Sequence, residues 1–309
     1  MDKVFCIIVN YNSQQWIART MQSIEQSIHP LQVVVVDNGS TDGSLEWLQK
    51  NYPQLIYHQT KSNLGFGKAN NIGISLALQN GADYVFLQNQ DVYLHPDTIT
   101  KLIDVVKEST NYAILSPMHY NGRGVGLDYW FSTYMSPPTC KGLVSDITTN
   151  QPLKKVYATK MVNAAAWLIS KEHLKMVGGF HPAFFHYGED SNYCERVLYL
   201  GVKIGIVPNA IIYHDRDYRP INKFESDKTL KLEREFLKLT SYPNKVNFKW
   251  NNYFKWFLGI LFHLLSGKLL KVKALFFKLN KWYRFPLSTV NKYNKQFKSG
   301  AYSYLNFKE

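Results

Sequence analysis

The sequence predicts an α/β fold built on an open, doubly wound parallel sheet, with a basic amphipathic helical tail at its C-terminal end. Three observations carry this. Short apolar runs alternate with stretches of helical spacing over the first 110 or so residues. Polar clusters rich in Asn, Asp and Gly follow the apolar runs, where turns leave the carboxyl ends of strands. The charge is divided: of a net +13 over 309 residues, the segment from Lys245 onward holds 13 Lys and Arg against a single acid, so the first 244 residues are nearly neutral. With 45% apolar and 19% charged residues the chain can build a core and is not disordered. A nucleic-acid partner is not indicated, because the body carries no basic excess.

Val4–Val9 reads as a strand buried on both faces, and Trp16–Ile28 as a helix ended by Pro30. Val33–Val36 is the second strand and closes on the turn Asp37-Asn38-Gly39-Ser40. Leu45–Asn51 is a short helix, Leu55–Gln59 a strand, Gly67–Gln79 a helix and Tyr84–Gln88 a strand. Pro96 opens a helix through Glu108. From Ser116 to Tyr157 periodicity is weak, and loops with short strands are expected. Order returns at Met161–Ser170, with a helix over Lys171–Val177. Val202–Val207 and Ala210–Tyr213 are strand-like around Pro208, and Thr229–Thr240 is an amphipathic helix. The expected division is 1–244 as one domain, with halves 1–115 and 116–244, and 245–309 as the tail. Three cysteines, Cys6, Cys140 and Cys194, without a CxxC pair exclude a disulfide scaffold and fit a reducing compartment. No stretch reaches the ~18 apolar residues of a membrane span.

In open α/β sheets ligands bind beyond the carboxyl ends of the strands. Those ends here are Asn10-Tyr11-Asn12, Asp37 to Asp42, and Asn89-Gln90-Asp91. No GxGxxG follows the first strand, which excludes a dinucleotide oxidoreductase of the usual kind, and there is no Walker A loop. The segment Asn63-Leu64-Gly65-Phe66-Gly67-Lys68-Ala69-Asn70 precedes a helix. Its glycines permit close backbone approach, and a helix N-terminus with Lys68 suits a phosphate.

Three segments, VVVVDNGSTDGS, NLGFGKANNIGI and YVFLQNQD, stand in an order and spacing that resembles the donor half of family 2 glycosyltransferases of the GT-A fold. NAAAWLISKEHLKMVGGF, FFHYGEDSNYCERVLYLG and the YHD at 213–215 resemble that family's acceptor half and closing histidine segment. The likeness spans about residues 3–217, and "NQD" in place of "DxD" is most similar to the bacterial rhamnosyltransferase subset.

The resemblance implies an inverting enzyme that moves a sugar from a nucleotide-diphosphate donor, a UDP- or dTDP-sugar, to a saccharide hydroxyl. A lipid-linked glycan in cell-surface polysaccharide synthesis is the expected acceptor. Asp37 would contact the base, with Asn63, Lys68 and Asn70 near ribose and diphosphate. Asn10, Asn38, Gly65, Asn89 and Gln90 complete the nucleotide side. Asp91 and His214 would hold Mg²⁺ or Mn²⁺, a hard cation that neutralises a leaving diphosphate. Asn89 departs from the family's first acid and leaves Asp91 alone among the carboxylates there. Asp190 would take the acceptor proton, and Glu189 would orient the site. Both acids also suit a helix N-terminus. Arg196 is expected to make a structural pairing with an acid. Trp167, Phe184, Phe185, His186 and Tyr187 surround the acceptor side. Gly178-Gly179 ends a helix and lets the backbone approach the site. Two rivals are a sugar nucleotidyltransferase, against which the absence of a basic residue in NYNSQQW counts, and a non-catalytic glycan-binding or scaffold member of the same fold.

In the tail, Leu269, Val272, Phe276, Leu279 and Tyr283 form one helical stripe opposite Lys271, Lys278 and Lys281. The expectation is a helix lying on an anionic membrane surface, at the inner face of the cell membrane in the cytoplasm. The rival is a helical pair packed on the body. On the first reading a chain ending at Asn244 stays folded.

Overall fold

The computed structural model describes residues 2–216, 227–241, 243, 248–266, 268–298 and 302–307, so the expected boundary at 244–245 lies outside the described residues. Four parallel strands begin the sheet: β1 (Val4–Asn10), β2 (Leu31–Asp37), β3 (Ile56–Gln59) and β4 (Tyr84–Asn89). They alternate with α1 (Ile17–Glu25), α2 (Ser44–Asn51) and α3 (Phe66–Gln79) and lie in the order β3-β2-β1-β4. Side chains alternate between the two faces of a strand. Phe5, Ile7, Val34 and Leu87 enter one core with Ile74 of α3, while Cys6, Ile8, Val35 and Phe86 enter the other with Met21 of α1. Burial on both faces explains the unbroken apolar runs. Asn10 pairs with Asp37 and Val9 with Asn89, which aligns the polar strand ends along one edge.

The second half departs from a purely parallel sheet. It comprises β5 (Val92–Leu94), α4 (Thr98–Glu108), β6 (Tyr112–Asn121), the short helices α5 (Tyr129–Tyr134) and α6 (Leu143–Thr148), and β7 (Tyr157–Thr159). Then follow β8 (Ala166–Ser170), α7 (Lys171–Val177), α8 (Glu189–Tyr199) and β9 (Lys203–His214). β8 runs antiparallel between β4 and β6, so the nine-stranded sheet is mixed. β6 lies largely in the segment expected to be loop. Ser116-Pro117 interrupts its apolar pattern, yet Pro117 sits at a register shift against β9, where a missing N–H is tolerated. The two runs around Pro208 are one strand, whose register jumps from Val207 to Ile211.

Four helices end the chain: α9 (Lys228–Thr240), α10 (Phe248–Leu265), α11 (Leu269–Tyr283) and α12 (Leu287–Lys298). Phe236 and Leu237 of α9, Trp282 of α11, Val290 of α12 and Phe285 from the turn between those two helices pack with Phe184 into a third core. The stripe expected to face lipid is split, because Val272 is buried whereas Leu269, Phe276 and Tyr283 are exposed.

Past α12 the chain returns to the body. Tyr302 N donates to Lys175 O, Gly179 N to Ser303 O, and Asn306 N to the Ser75 hydroxyl. Gly178, with φ +78°, ends α7, and a side chain at either glycine would collide with this returning segment or with Asn71. The close approach at Gly178-Gly179 is therefore made by the C-terminal segment, not by a ligand. Arg196 is fully buried and, among the described residues, pairs with no acid. Its guanidinium donates to Val177 O and Gly179 O at 2.6 Å each and lies over the rings of Phe297 and Tyr304.

A chain ending at Asn244 is thus expected to lose its fold, contrary to the reading from sequence. It would uncover Arg196 and remove the partners of Phe184 and Phe236. Each large apolar side chain taken out of the core costs about 1.5–3 kcal/mol, and five or so exhaust a typical stability of about 5–15 kcal/mol. Circular dichroism should show no cooperative melt. A sharp transition near that of the full chain would refute this packing role.

Candidate active site

The strand ends form a network of amides and hydroxyls around the Asp37 carboxylate. Asn10 Nδ2 donates to Asp37 Oδ1 at 2.8 Å and to the hydroxyls of Ser40 and Ser44. Asp37 Oδ2 accepts from the backbone N–H groups of Gly39 and Ser40. Asn38 Nδ2 donates to Asn63 Oδ1, which also accepts from Gly65 N. Gln90 accepts from Tyr11 N and donates to Tyr11 O, clasping the exits of β4 and β1 together. Asn70 donates to Phe66 O of its own helix. Asn10, Asp37, Asn38 and Asn70 are buried, while Asn63, Asn89 and Gln90 are half-buried and Lys68 is exposed. The buried amides and Asp37 thus shape this edge, and the partly open residues face the space beside it.

Gly65 has φ +86°, and a side chain there would strike the Phe185 carbonyl. At Gly67 it would come within 2.9 Å of Phe180 and 3.6 Å of Glu189. The glycines therefore admit the acceptor-side segment rather than a phosphate, and Phe66 N donates to Phe185 O across the join. Lys68 borders a cavity of about 250 Å³ with Pro182, Glu233, Phe285, Val290 and Tyr293.

Antiparallel pairing of Val92 with His214 brings Asp91, the residue before β5, to the end of β9. His214 Nε2 lies 3.6 Å from Asp91 Oδ1, and its Nδ1 lies 3.4 Å from Asp128 Oδ2. All three are buried. Burial opposes charge on His214, but the flanking carboxylates outweigh it and raise its pKa. Asp128 also caps α5 through Phe131 N and takes a two-point contact from Arg216, with Nε–Oδ2 2.7 Å and Nη2–Oδ1 2.6 Å. Against the burial that would raise it, His214 and Arg216 hold the Asp128 carboxyl well below its usual range. Sequence reasoning missed Asp128 and Arg216. The available signal was an Asp before an aromatic helix start and an Arg directly after the YHD segment.

A hard divalent cation suits this place on the chemistry of the donors. Asp91 offers a carboxylate and His214 an imidazole whose buried ring nitrogens make no hydrogen bond. Asp128 stands on the opposite ring nitrogen, as carboxylates do behind metal-binding histidines. Among the described residues no cluster of three or more His, Cys, Asp or Glu stands ready to enclose an ion. Water and phosphate oxygens would complete such a site.

Glu189 and Asp190 open α8, with Gly188 before them at φ +97°. Asp190 Oδ1 accepts from Ser191 N at 2.7 Å. Burial, then the neighbouring Asp190 charge, pushes the Glu189 carboxyl up to about 8, and its Oε2 has no hydrogen-bond partner. Burial also raises Asp190, against the Ser191 N–H and the Lys238 charge. Tyr134, at the far end of α5, has its phenol pushed up to about 12 by burial and then by the Asp190 charge, against that of Arg216. Asp128 thus stands at the start of α5, and Tyr134 at its far end feels the Asp190 charge. Of the expected acceptor aromatics, Trp167 and Phe184 are core residues, with Trp167 stacked on Phe180. Phe185 is exposed, and His186 and Tyr187 are half-buried. Tyr187 holds φ +66°, a strained conformation of the kind that gathers at functional sites.

The Glu189 shift has a measurable consequence. A carboxyl that keeps its proton in the folded state but loses it near 4.5 when unfolded makes the unfolded state bind fewer protons between those values. Its contribution to stability is complete below about 4.5 and is lost as pH rises through about 8. Glu189→Gln removes this term. The variant's melting temperature should fall less than that of the unmodified chain from acid to mildly alkaline pH. Parallel melting curves across that range would mean that Glu189 is ionised in the fold.

A mixed α/β sheet with polar strand ends, a carboxylate–histidine pair at β9 and an acidic helix start defines a GT-A-type transferase fold. The model for "Glycosyl transferase family 2" matches residues 5–174, and the chain belongs to that family. It is 28% identical over 211 residues to the low-salt glycan biosynthesis hexosyltransferase Agl10 of Haloferax volcanii, covering 66% of this chain and 64% of that protein. It is 25% identical over 238 residues to an N-acetylglucosaminyl-diphospho-decaprenol L-rhamnosyltransferase of Mycobacterium tuberculosis, covering 70% and 76%. The structure of GalNAc-T7 with UDP, GalNAc and Mn²⁺ superposes with a TM-score of 0.58 at 13% identity, over 84% of this chain and 50% of that one. The chain thus spans about two thirds of the hexosyltransferase's length and half of the solved structure's.

Proposed function

We propose that this protein is an inverting, metal-dependent glycosyltransferase. It transfers a hexose or deoxyhexose from a UDP- or dTDP-sugar to a saccharide hydroxyl on a lipid-linked glycan, at the inner face of the cell membrane. The observation that carries this reading is the buried Asp91–His214–Asp128 group at the polar strand ends, in a fold whose α8 opens on Glu189-Asp190. The rhamnosyltransferase among the relatives supports the sugar class and the lipid-linked acceptor.

A buried carboxyl beside a half-buried one disfavours double ionisation, and the two titrate as a pair. Glu189, fully enclosed, keeps the proton. Asp190, with the Ser191 N–H and the Lys238 charge beside it, carries the negative charge. Asp190 accepts the proton of the acceptor hydroxyl as its oxygen attacks the anomeric carbon. The bond from that carbon to the diphosphate oxygen breaks, and the nucleoside diphosphate leaves. Asp91 and His214 would hold Mg²⁺ or Mn²⁺, which supplies charge neutralisation for the leaving diphosphate. Asp128 and Arg216 fix the His214 ring. The Asn10–Asp37 and Asn38–Asn63 networks hold the loops that frame the nucleotide.

The test is a thermal-shift panel of UDP, dTDP and GDP with Mn²⁺ and with chelator. A nucleotide at 100 times its dissociation constant stabilises the fold by about 2.7 kcal/mol. One nucleotide should raise the melting temperature with Mn²⁺ and lose that effect with chelator. No shift with any of them would remove the donor assignment.

A further inference from the structure

The C-terminal helices divide into two parts with different surroundings. α12 and residues 302–307 pack on the body through Val290, Phe297, Tyr302 and Tyr304. α10 packs chiefly on α11, and α11 in turn on α9. Gly259 lets the two helices of this hairpin lie close, since a side chain there would come within 3.3 Å of Leu275. Val272 and Trp282 bury the inner side of α11. The outer side is apolar and exposed.

From Phe257 to Tyr283 eleven large apolar or aromatic side chains are exposed. On α10 Phe257, Leu261 and Leu264 follow one line, and Leu258, Phe262 and Leu265 the next, which makes one broad face. On α11 Leu269, Phe276 and Tyr283 recur at seven-residue intervals, with Leu270 and Phe277 beside them. Single exposed apolar residues need no explanation, but a contiguous face of this kind marks an interaction surface.

The charge selects the occupant. No acidic residue occurs between Glu235 and Glu309, while Lys268, Lys271, Lys273 and Arg284 are exposed on or beside the hairpin. Two copies placed face to face would oppose like charges. An anionic lipid leaflet matches both the apolar face and the basic margin. None of the described helices is long and apolar enough to cross a membrane, so the hairpin lies in the interface.

We propose that the outer face of the α10–α11 hairpin is the surface by which this protein docks on an anionic lipid leaflet. This rests on the lipid-linked acceptor proposed above and names the surface that meets it. The hairpin is fixed to the acceptor side through Trp282, Phe236 and Phe184, and Phe185 and Glu189 follow in the same segment.

The test measures cosedimentation of the full chain with vesicles of phosphatidylcholine, alone or mixed with phosphatidylglycerol, without nucleotide or acceptor. The unmodified chain should bind the mixed vesicles much more tightly, with part of the binding surviving high salt. The double variant Leu265→Asp/Leu270→Asp, at two of the most exposed positions, should lose about 100-fold or more of that affinity. Lys271→Glu/Lys273→Glu should lose about tenfold or more and become less sensitive to salt. Both variants should keep the melting temperature and the nucleotide-induced shift of the unmodified chain, so that failure of docking is read separately from failure of the sugar-transfer reading. Equal vesicle binding by the Leu265→Asp/Leu270→Asp variant overturns the proposal. So does self-association of the unmodified chain that this variant abolishes, with no vesicle binding by either, because a second copy would then own the face.

Discussion

Replacing Asp190 by Asn should lower turnover by about 10²–10⁴-fold, the span over which a positioned general base contributes, with nucleotide affinity nearly unchanged. The substitution keeps the size of the side chain and an oxygen to accept the Ser191 N–H. It removes the carboxylate proposed to take a proton at the start of α8. The residues proposed to frame the nucleotide lie elsewhere, at the exits of β1, β2 and β4. A loss confined to turnover separates a base from a structural cap, which would instead lower stability. Steady-state rates at saturating donor and acceptor decide the matter. A decrease below about tenfold would assign the proton transfer to another group.

Asp91→Ala should abolish Mn²⁺-dependent nucleotide binding. Asn89 is neutral, so no second carboxylate on that turn can substitute. His214 would keep Asp128 and Arg216 around it but lose the oxygen 3.6 Å from its Nε2. The Mn²⁺-dependent part of the thermal shift should vanish, while any metal-independent part persists. A full Mn²⁺-dependent shift in a folded variant would remove Asp91 from the metal site. Removing one partner of a buried charged pair costs stability, so the variant's own melt without nucleotide is the control; Asp128 remains beside His214.

How much of this was legible in the sequence depended on whether a signal was local. The first four strands and three helices were, because β1, β2 and β4 are buried on both faces and the turns carry their own Asn, Asp or Gly. β6 was not, because Pro117 looks like a breaker until the register shift against β9 shows where it sits. Asp91, His214, Glu189 and Asp190 stood out through family-like motifs, and the sheet brings Asp91 to His214 by one antiparallel pairing. Asp128 stood in a Gly- and Tyr-rich stretch without periodicity, and only the tertiary contact with His214 and Arg216 gives it meaning. The glycines at 65, 67, 178 and 179 signalled close approach correctly but not its object, which is protein in every case. The tail's stripe was misdirected because α11 is apolar on two sides, and helical spacing alone does not say which side the body takes.

Sugar transfer itself is tested most directly by mass spectrometry and proton NMR of lipid-linked glycans incubated with UDP- and dTDP-sugars, Mn²⁺ and either the unmodified chain or Asp190→Asn. The expected result is one added hexose or deoxyhexose per glycan, an equal amount of free nucleoside diphosphate, and an anomeric configuration opposite to that of the donor. All three should be lost in the variant. Nucleotide binding without release of nucleoside diphosphate and without a new glycan would contradict the assignment and leave a binding protein on a transferase fold.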